Sequence, residues 1–579
     1  MGLSLSKHWK LLKPFVMPYR KRLFILWFFI LINIFLQIYN PQIIRKYLDS
    51  VNNFASIEVL RDAALLFITI AIIQELIYIF NVYLSNDLAW RATNDMRFEL
   101  MKHCVDLDMT FHNEYKPGMM IERVDGDVNS ISTFFSVLSL IVFSNILLMV
   151  GVLIALFIEN IIIGISFTIL SIIAFIIMLK TRKIGIDDWK EVREVTSQKM
   201  GFIEERLSGT EEIKANDGVN FVLKEYHDYS TTLYNDLNTA VFKSSITHTV
   251  TIFFIAFGVT LVYVLGVPMV QNNSITPGTL FLFTYYFQLI MTPILEILRQ
   301  IQIIQQADAS VERINEIFDI EKILIDDGKL IANTGPVDIE FDNIKFSYNE
   351  DNYVLQNINF LLPAGKSMGL IGKTGSGKTT LSRLIYRLYD YEIGNILING
   401  NSNKEYALEE LRKMIVVVTQ EVQLFKGTIR DNITFFNESI DDEQVINALN
   451  MVGLDVWLNE QEEGINTQLD KTGLSAGEEQ LLALARSFIV NPSIVILDEA
   501  SSRLDPATQT LIESAMDKLL ENRTSLVIAH RLETLEKVDD ILILENGEIL
   551  EYGSRVVLTN NPNSHYSKLR RIGLKEMLA

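Results

Sequence analysis

Before about residue 305 the chain carries six apolar runs, beginning near Leu23, Ala63, Phe134, Ile161, Thr251 and Gly278. A helix that crosses a bilayer needs about 20 mostly apolar residues, because hydrocarbon offers the backbone no hydrogen-bond partners. This pattern predicts six membrane helices for the first half of the chain. Composition agrees: 49% of the 579 residues are hydrophobic and the mean hydropathy is +0.23, too apolar for an ordinary soluble enzyme. A net charge of −20 with no basic stripe argues against a nucleic-acid partner. The lone cysteine, Cys104, excludes an intramolecular disulfide and a cysteine-cluster metal site, and reads as a small buried apolar side chain.

The connections between the runs are unequal. Glu159-Asn160 separates the third and fourth, and Gln271 to Pro277 the fifth and sixth. Long polar, helical stretches follow the second run (Asn86 to Asn129) and the fourth (Lys180 to Lys243). They hold Arg91, Arg97, Lys102, Arg123, Arg182, Lys183, Arg193 and Arg206. Lysine and arginine concentrate on the cytoplasmic side of membrane proteins, which places both long connections and both termini there, in the plasma or inner membrane. Ahead of the first run, Lys7, Lys10, Lys13, Arg20, Lys21 and Arg22 interleave with Trp9, Leu11, Leu12, Phe15 and Val16. That mixture predicts an uncleaved amphipathic helix on the inner membrane surface. The expected domains are a membrane domain over 1–325, a linker over 326–336 and a mostly parallel α/β domain over 337–579.

The α/β part opens with LIGKTGSGKTT, which fits G-x-x-x-x-G-K-[ST]: Gly372, Lys373, Thr374, Gly375, Ser376, Gly377, Lys378, Thr379 and Thr380. Glycines let consecutive backbone N–H groups close around a phosphate, and the following helix N-terminus adds positive potential. Lys378 can reach the β- and γ-phosphates, and the Thr379 hydroxyl can ligate Mg²⁺. Further on, Ile494 to Leu497 is a buried-strand run ending in Asp498-Glu499, where one carboxylate can serve a metal and the next a water. The pair of motifs predicts ATP hydrolysis.

Beyond these, the soluble half resembles the nucleotide-binding domain of an ABC transporter, and six helices before one such domain resembles an exporter half-transporter. The resemblance covers the whole chain. It implies that Tyr348 stacks on adenine and that Gln420 contacts Mg²⁺ and the attacking water. Asp498 and Glu499 match the Walker B aspartate and catalytic glutamate, SSRLD (Ser501 to Asp505) the D-loop, and His530 the switch histidine. LSAGEEQ (Leu474 to Gln480) stands at the signature position, with Ser475 and Gly477 as phosphate donors. Phe111 to Val128 and Arg206 to Gly218 resemble the two coupling regions. The implied mechanism is alternating access powered by two ATP molecules held between two nucleotide-binding domains.

Two departures bear on the partner. Ala476 replaces the first signature glycine, and Glu478 replaces the glutamine. A carboxylate facing a polyphosphate is a like-charge contact. An altered signature beside intact Glu499 and His530 points to one half of an asymmetric pair, so a heterodimer with a second half-transporter is favoured over a homodimer.

For the transported species, Glu75 beside Gln74 in the second run is the substrate candidate, since an intramembrane carboxylate is costly. Asn33, Gln37 and Asn145 are further polar residues within the runs, and Glu296 with Arg299 reads as a local ion pair. These residues suit an amphipathic or hydrophobic substrate: a drug-like compound, a lipid or a peptide. An importer built on the same fold is the alternative. A translation or repair ATPase of this family is disfavoured by the six runs.

Overall fold

The computed structural model describes residues 5–181, 184–349, 352–419, 422–469, 474–498, 506–529 and 532–572. The chain forms two compact units. One runs to Val105 and resumes over Pro117–Ile320; the other combines Asp106–Lys116 with the chain from Glu321 onward.

The first unit is helical throughout. A short helix α1 (Leu5–Val16) buries Leu12 and Val16 and leaves Lys10 and Lys13 exposed. Then follow α2 (Arg20–Asn52) and α3 (Ile57–Asp106). Next comes a nearly continuous rod of α5 (Pro117–Ile121), α6 (Val128–Val137) and α7 (Ser144–Glu159), joined through π turns at Glu122–Asp127 and Leu138–Phe143. The unit continues with α8 (Ile161–Thr181), α9 (Ile186–Ser208), α10 (Thr210–Ala215), α11 (Val219–Gln271) and α12 (Pro277–Phe318). Among the described residues six helices are long and apolar enough to cross a membrane, as the sequence predicts.

Hydrophobic burial gives no driving force between helices in lipid, so close packing and end-of-helix polar ties hold them together. Arg45 Nη1 donates to Glu159 Oε1 at 2.6 Å, and Gln42 Nε2 donates to the Tyr286 hydroxyl at 3.0 Å, linking α2, α7 and α12. Asp49 Oδ1 accepts from Gly278 N at 2.9 Å, capping the start of α12 with a residue of α2. Gly278 has no room for a side chain there: a Cβ would stand 2.5 Å from the Arg45 carbonyl oxygen.

The second unit has a four-stranded antiparallel sheet and a six-stranded mainly parallel one. The first comprises β1 (Ile339–Ser347), β2 (Tyr353–Leu362), β4 (Ile393–Ile398) and β5 (Asn401–Ser402), in the order β2-β1-β4-β5. The second holds β3 (Ser367–Gly372), β6 (Ile415–Val418), β9 (Ile494–Asp498), β10 (Thr524–Ile528), β11 (Asp540–Glu545) and β12 (Glu548–Ser554), in the order β12-β11-β3-β10-β9-β6. Strands β9 and β10 are apolar or small at nearly every position and almost wholly buried, as parallel strands covered on both faces must be. The antiparallel edge strand β12 alternates exposed and half-buried. Phe341 and Phe360 face each other across β1 and β2 with rings stacked 4.5 Å apart. A ribbon of β7 (Gly427–Thr428) and β8 (Gln468–Leu469) joins a helical part. That part contains α15 (Ile429–Thr434), α16 (Asp442–Met451), α17 (Asp455–Asn459) and α18 (Ala476–Val490). Asn432, within a glycosylation sequon, is fully buried and exchanges hydrogen bonds with the Phe425 backbone, so it serves the core.

The stretch expected as a linker lies along the second unit, fastened at short intervals. Arg387 Nη2 donates to the Ile325 carbonyl at 2.9 Å, and Leu408 N to Asp326 Oδ1 at 3.0 Å. Lys329 N and Leu330 N both donate to the Glu405 carbonyl, and Ala332 N to Glu410 Oε2. Gly328 is pressed against Tyr406, whose carbonyl oxygen would lie 2.1 Å from an added Cβ.

Close packing of α11 on α12 is testable at Gly258, where an added Cβ would stand 1.9 Å from the Phe287 ring. Gly258→Ala should destabilise the solubilised protein by about 1–3 kcal/mol, an overpacking effect. Gly201, also helical, has open space around its Cβ position; there alanine should be neutral or stabilising by up to about 1 kcal/mol. Equal thermal-unfolding midpoints for the two variants would contradict the packing account.

Candidate nucleotide site

The candidate site gathers at the carboxyl ends of the central parallel strands. After β3 the chain turns through Lys373–Gly377 into α13 (Lys378–Ile385). Gly375 (φ +82°) and Gly377 (φ +103°) take left-handed conformations that disfavour other residues. Gly377 is also crowded, since a Cβ would meet Leu355 Cδ2 at 2.6 Å, whereas a Cβ on Gly375 would meet nothing. Lys373, Thr374 and Gly375 therefore form an open rim, while Ser376 and Lys378 are buried beneath it. Lys378 Nζ donates to the carbonyls of Gly372 (2.6 Å) and Lys373 (2.9 Å), bracing the loop from inside. Among the described residues Ser376 Oγ has no hydrogen-bond partner although it is buried.

An open glycine rim, a buried ammonium and an orphaned hydroxyl fit a phosphate chain. Thr379 is exposed as the second residue of α13, and Asp498 is half-buried at the end of β9, two places from β3 in the sheet. No group of three or more His, Cys, Asp or Glu converges among the described residues. Mg²⁺ usually takes one or two protein oxygen ligands and completes its shell from phosphates and water, and the Thr379 hydroxyl and Asp498 carboxylate are donors of that kind. The described chain reaches Thr419 after β6, Asp498 on β9 and Ala529 after β10. Gln420, Glu499 and His530 lie outside the described residues, as does the D-loop segment Ser501 to Asp505.

Tyr348 is half-buried beside this loop. Its hydroxyl lies 3.0 Å from Thr380 Oγ1 on α13, and its ring meets Phe346 and Tyr389 edge-on at 4.9 and 5.0 Å. Thr380 is buried, with its hydroxyl turned to this tyrosine. Burial works against the charge of Arg383, but interaction with the Tyr348 hydroxyl leaves its pKa raised. Burial raises the Tyr386 phenol; the Arg383 guanidinium opposes this and the Asp498 carboxylate adds to it. Nothing in the spacing of the motifs pointed to Arg383, Tyr386 or Tyr389. They become visible only when α13 and the turn after it fold back onto β1.

At the signature, Glu478 closes a capping box at the start of α18. Its Oε2 accepts from Ser475 N (2.7 Å) and Ser475 Oγ (2.8 Å), while Glu478 N donates to Ser475 Oγ at 3.2 Å. A carboxylate three residues into a helix is drawn to these otherwise unpaired donors. Gly477 is set by packing: a Cβ would stand 2.2 Å from Thr508 Cγ2.

In the membrane part, Glu75 is exposed on α3. Asn33 and Asn40 on α2 are buried, and neither Oδ1 has a hydrogen-bond partner among the described residues. Glu296 pairs with Arg299 at 3.0 Å, as expected.

The capping box generates a prediction. Glu478→Gln keeps its shape but removes the charge sitting on Ser475. It should weaken the helix cap by about 0.3–1 kcal/mol and tighten ATP at whichever site this signature faces. Vanadate-trapped nucleotide per assembled transporter should rise; an unchanged amount would show that the carboxylate leaves phosphate access unaffected.

Models of two families match the chain: the ABC transporter family over residues 355–502, and the ABC transporter transmembrane region over residues 23–294. The chain is 30% identical over 554 residues to YknV of Bacillus subtilis, described as an uncharacterized ABC transporter ATP-binding protein, covering 95% of this chain and 92% of that one. It is 28% identical over 568 residues to the ATP-dependent lipid A-core flippase of Photorhabdus laumondii, covering 96% and 97% respectively. Its fold matches a bacterial Atm1-family ABC exporter with ATP bound (TM-score 0.75, 22% identity), covering 96% of this chain and 98% of that one. The chain belongs to the ABC transporter family, as an ATP-hydrolysing half-transporter of exporter type with six membrane helices fused to one nucleotide-binding domain.

Proposed function

We propose that this protein exports an amphipathic or hydrophobic molecule as one chain of a two-chain transporter, with both termini in the cytoplasm. The observation that carries the reading is the phosphate loop after β3 and Asp498 at the end of β9, flanking β10 at one edge of a sheet whose chain also holds six membrane helices. Lys378 and the backbone of 373–377 hold the phosphates, and Tyr348 carries the adenine on a ring seated by Thr380 and Tyr389. Thr379, Asp498 and Gln420 would hold Mg²⁺, which would supply charge stabilisation to the transferring phosphoryl group. Glu499 positions and polarises the attacking water, and His530 orients the reacting group.

The transported class is a drug-like compound, a lipid or a peptide. Similarity to lipid A-core flippases favours a lipid-like molecule. Glu75, a carboxylate in an otherwise apolar span, is proposed to contact the substrate's polar end. A heterodimer is the favoured assembly. This chain supplies Lys378, Gln420, Glu499 and His530 to the active site, and its self-capped signature serves a slower one.

Two experiments check this. Glu499→Gln should retain ATP binding and lose nearly all turnover, leaving the nucleotide domains locked together; near-normal ATPase in the purified variant would refute the assignment. Purified without other transporter subunits, the chain should show weak ATPase. Robust, substrate-stimulated hydrolysis by a homodimer would overturn the asymmetric pairing while leaving the transport reading intact.

A further inference from the structure

Asp127 ends the π turn that leads into α6, and it is 3% exposed despite its charge. Four donors from three side chains converge on it. Ser310 Oγ donates to Oδ1 at 2.9 Å, Arg313 Nε to Oδ2 at 3.0 Å, and Arg123 Nη1 to Oδ2 at 3.0 Å. Arg313 Nη2 also donates to Oδ1, completing a fork. Ser310 and Arg313 belong to the inner end of α12, and Ser310 is fully buried. The carboxylate thus fixes the entry of the third membrane segment to the last turns of the sixth. One residue before α12 ends, His103 Nε2 lies 3.0 Å from the Ile317 carbonyl, fixing the inner end of α3 to the same helix.

The second unit carries the complementary ties. Its segment Asp106–Lys116, which contains α4 (Met109–Glu114), is held by Asn113 Nδ2 donating to the Tyr389 hydroxyl at 2.8 Å. Asp108 accepts from the backbone of Ile323 and Leu324, just after the chain has left α12. Tyr389 in turn touches Tyr348. Each tie lies inside one unit, and the chain supplies the joins, passing between units at 105–106, 116–117 and 320–321. On one side of those joins Asp108 binds the Asp106–Lys116 segment to the chain that follows α12; on the other, His103 and Asp127, which flank that segment in sequence, are bound to α12 itself. Further out, Pro293 lacks the N–H that would continue the α12 ladder, so the helix is weakest beyond the clamp.

We propose that Asp127 is a positioning residue for transport: its fork with Arg313 and Ser310 makes the inner half of α12 and the start of the third segment one lever. The lever carries the nucleotide state of the second unit to the outer half of α12. This rests on the proposed ATP-driven cycle. Asp127 touches neither nucleotide nor substrate; it acts through α12.

The test uses the full assembled transporter in vesicles of phosphatidylethanolamine and phosphatidylglycerol, with hydrogen–deuterium exchange read with and without ATP and vanadate. In the wild type, exchange should change in 368–372 and 494–498 and also in 277–291. In Asp127→Asn, the change in 277–291 should be lost, while kcat and KM for ATP and the response of 368–372 stay as in the wild type. A response of wild-type size in 277–291 would overturn the proposal, and so would its loss together with ATPase and thermal stability, the mark of a merely structural group. If Asp127→Asn does not accumulate, Ser310→Ala and Arg313→Lys decide, each expected to shrink the 277–291 response with ATPase intact; full retention in both overturns the clamp. A wild type that shows no nucleotide response in either region defeats the proposed cycle, and the clamp's role with it.

Discussion

Hydrocarbon cannot hydrogen-bond, and that constraint organises this molecule more than any single contact. Within the spans the backbone is satisfied by its own helix, so few side-chain polar groups are free to specify which helix lies beside which. Specification moves to the ends. Arg45 with Glu159, Asp49 with the start of α12, and Asp127 with Arg313 and Ser310 all stand near helix termini or in the helical extensions. Between them, glycines such as Gly258 let bulky neighbours approach. The interior of the bundle is held by shape, and its termini by charge.

The second unit solves the opposite problem. Its parallel strands are apolar enough to be buried on both faces, so chemistry can appear only where the strands stop. Phosphate loop, Asp498 and the aromatic group around Tyr348 all lie at such edges or on the turns next to them. The bracing of the loop by Lys378 and the orphaned Ser376 hydroxyl show a site built around a charge that enters from outside.

Much of this was legible in the residues. The six spans follow from apolar length, and the phosphate loop and Asp498 from motifs whose chemistry is local to a strand end. What escaped depends on long-range approach. Arg383 and Tyr389 join the site only through tertiary folding, and Gly477 is fixed by Thr508, which lies in a different helix. The orientation of Glu478 turned on a competition that composition does not resolve: a carboxylate three residues into a helix has a nearer set of donors than any ligand. Asp127 was one acidic residue among many, because Ser310 and Arg313 lie some 180 positions away.

The fastened stretch after α12 has a practical side. Between Ile323 and Ala332 the backbone is engaged by Asp108, Arg387, Glu405 and Glu410, the Asp326 carboxylate holds Leu408 N, and Gly328 has no clearance for a side chain. A protease needs several residues of extended, unbonded chain to fit its cleft. This segment offers none while the second unit stays folded, so the halves will not part by limited digestion here as domains on a loose tether do. The same rigidity makes the segment a poor place to insert a tag or a reporter. Lengthening it would break the register that these bonds keep.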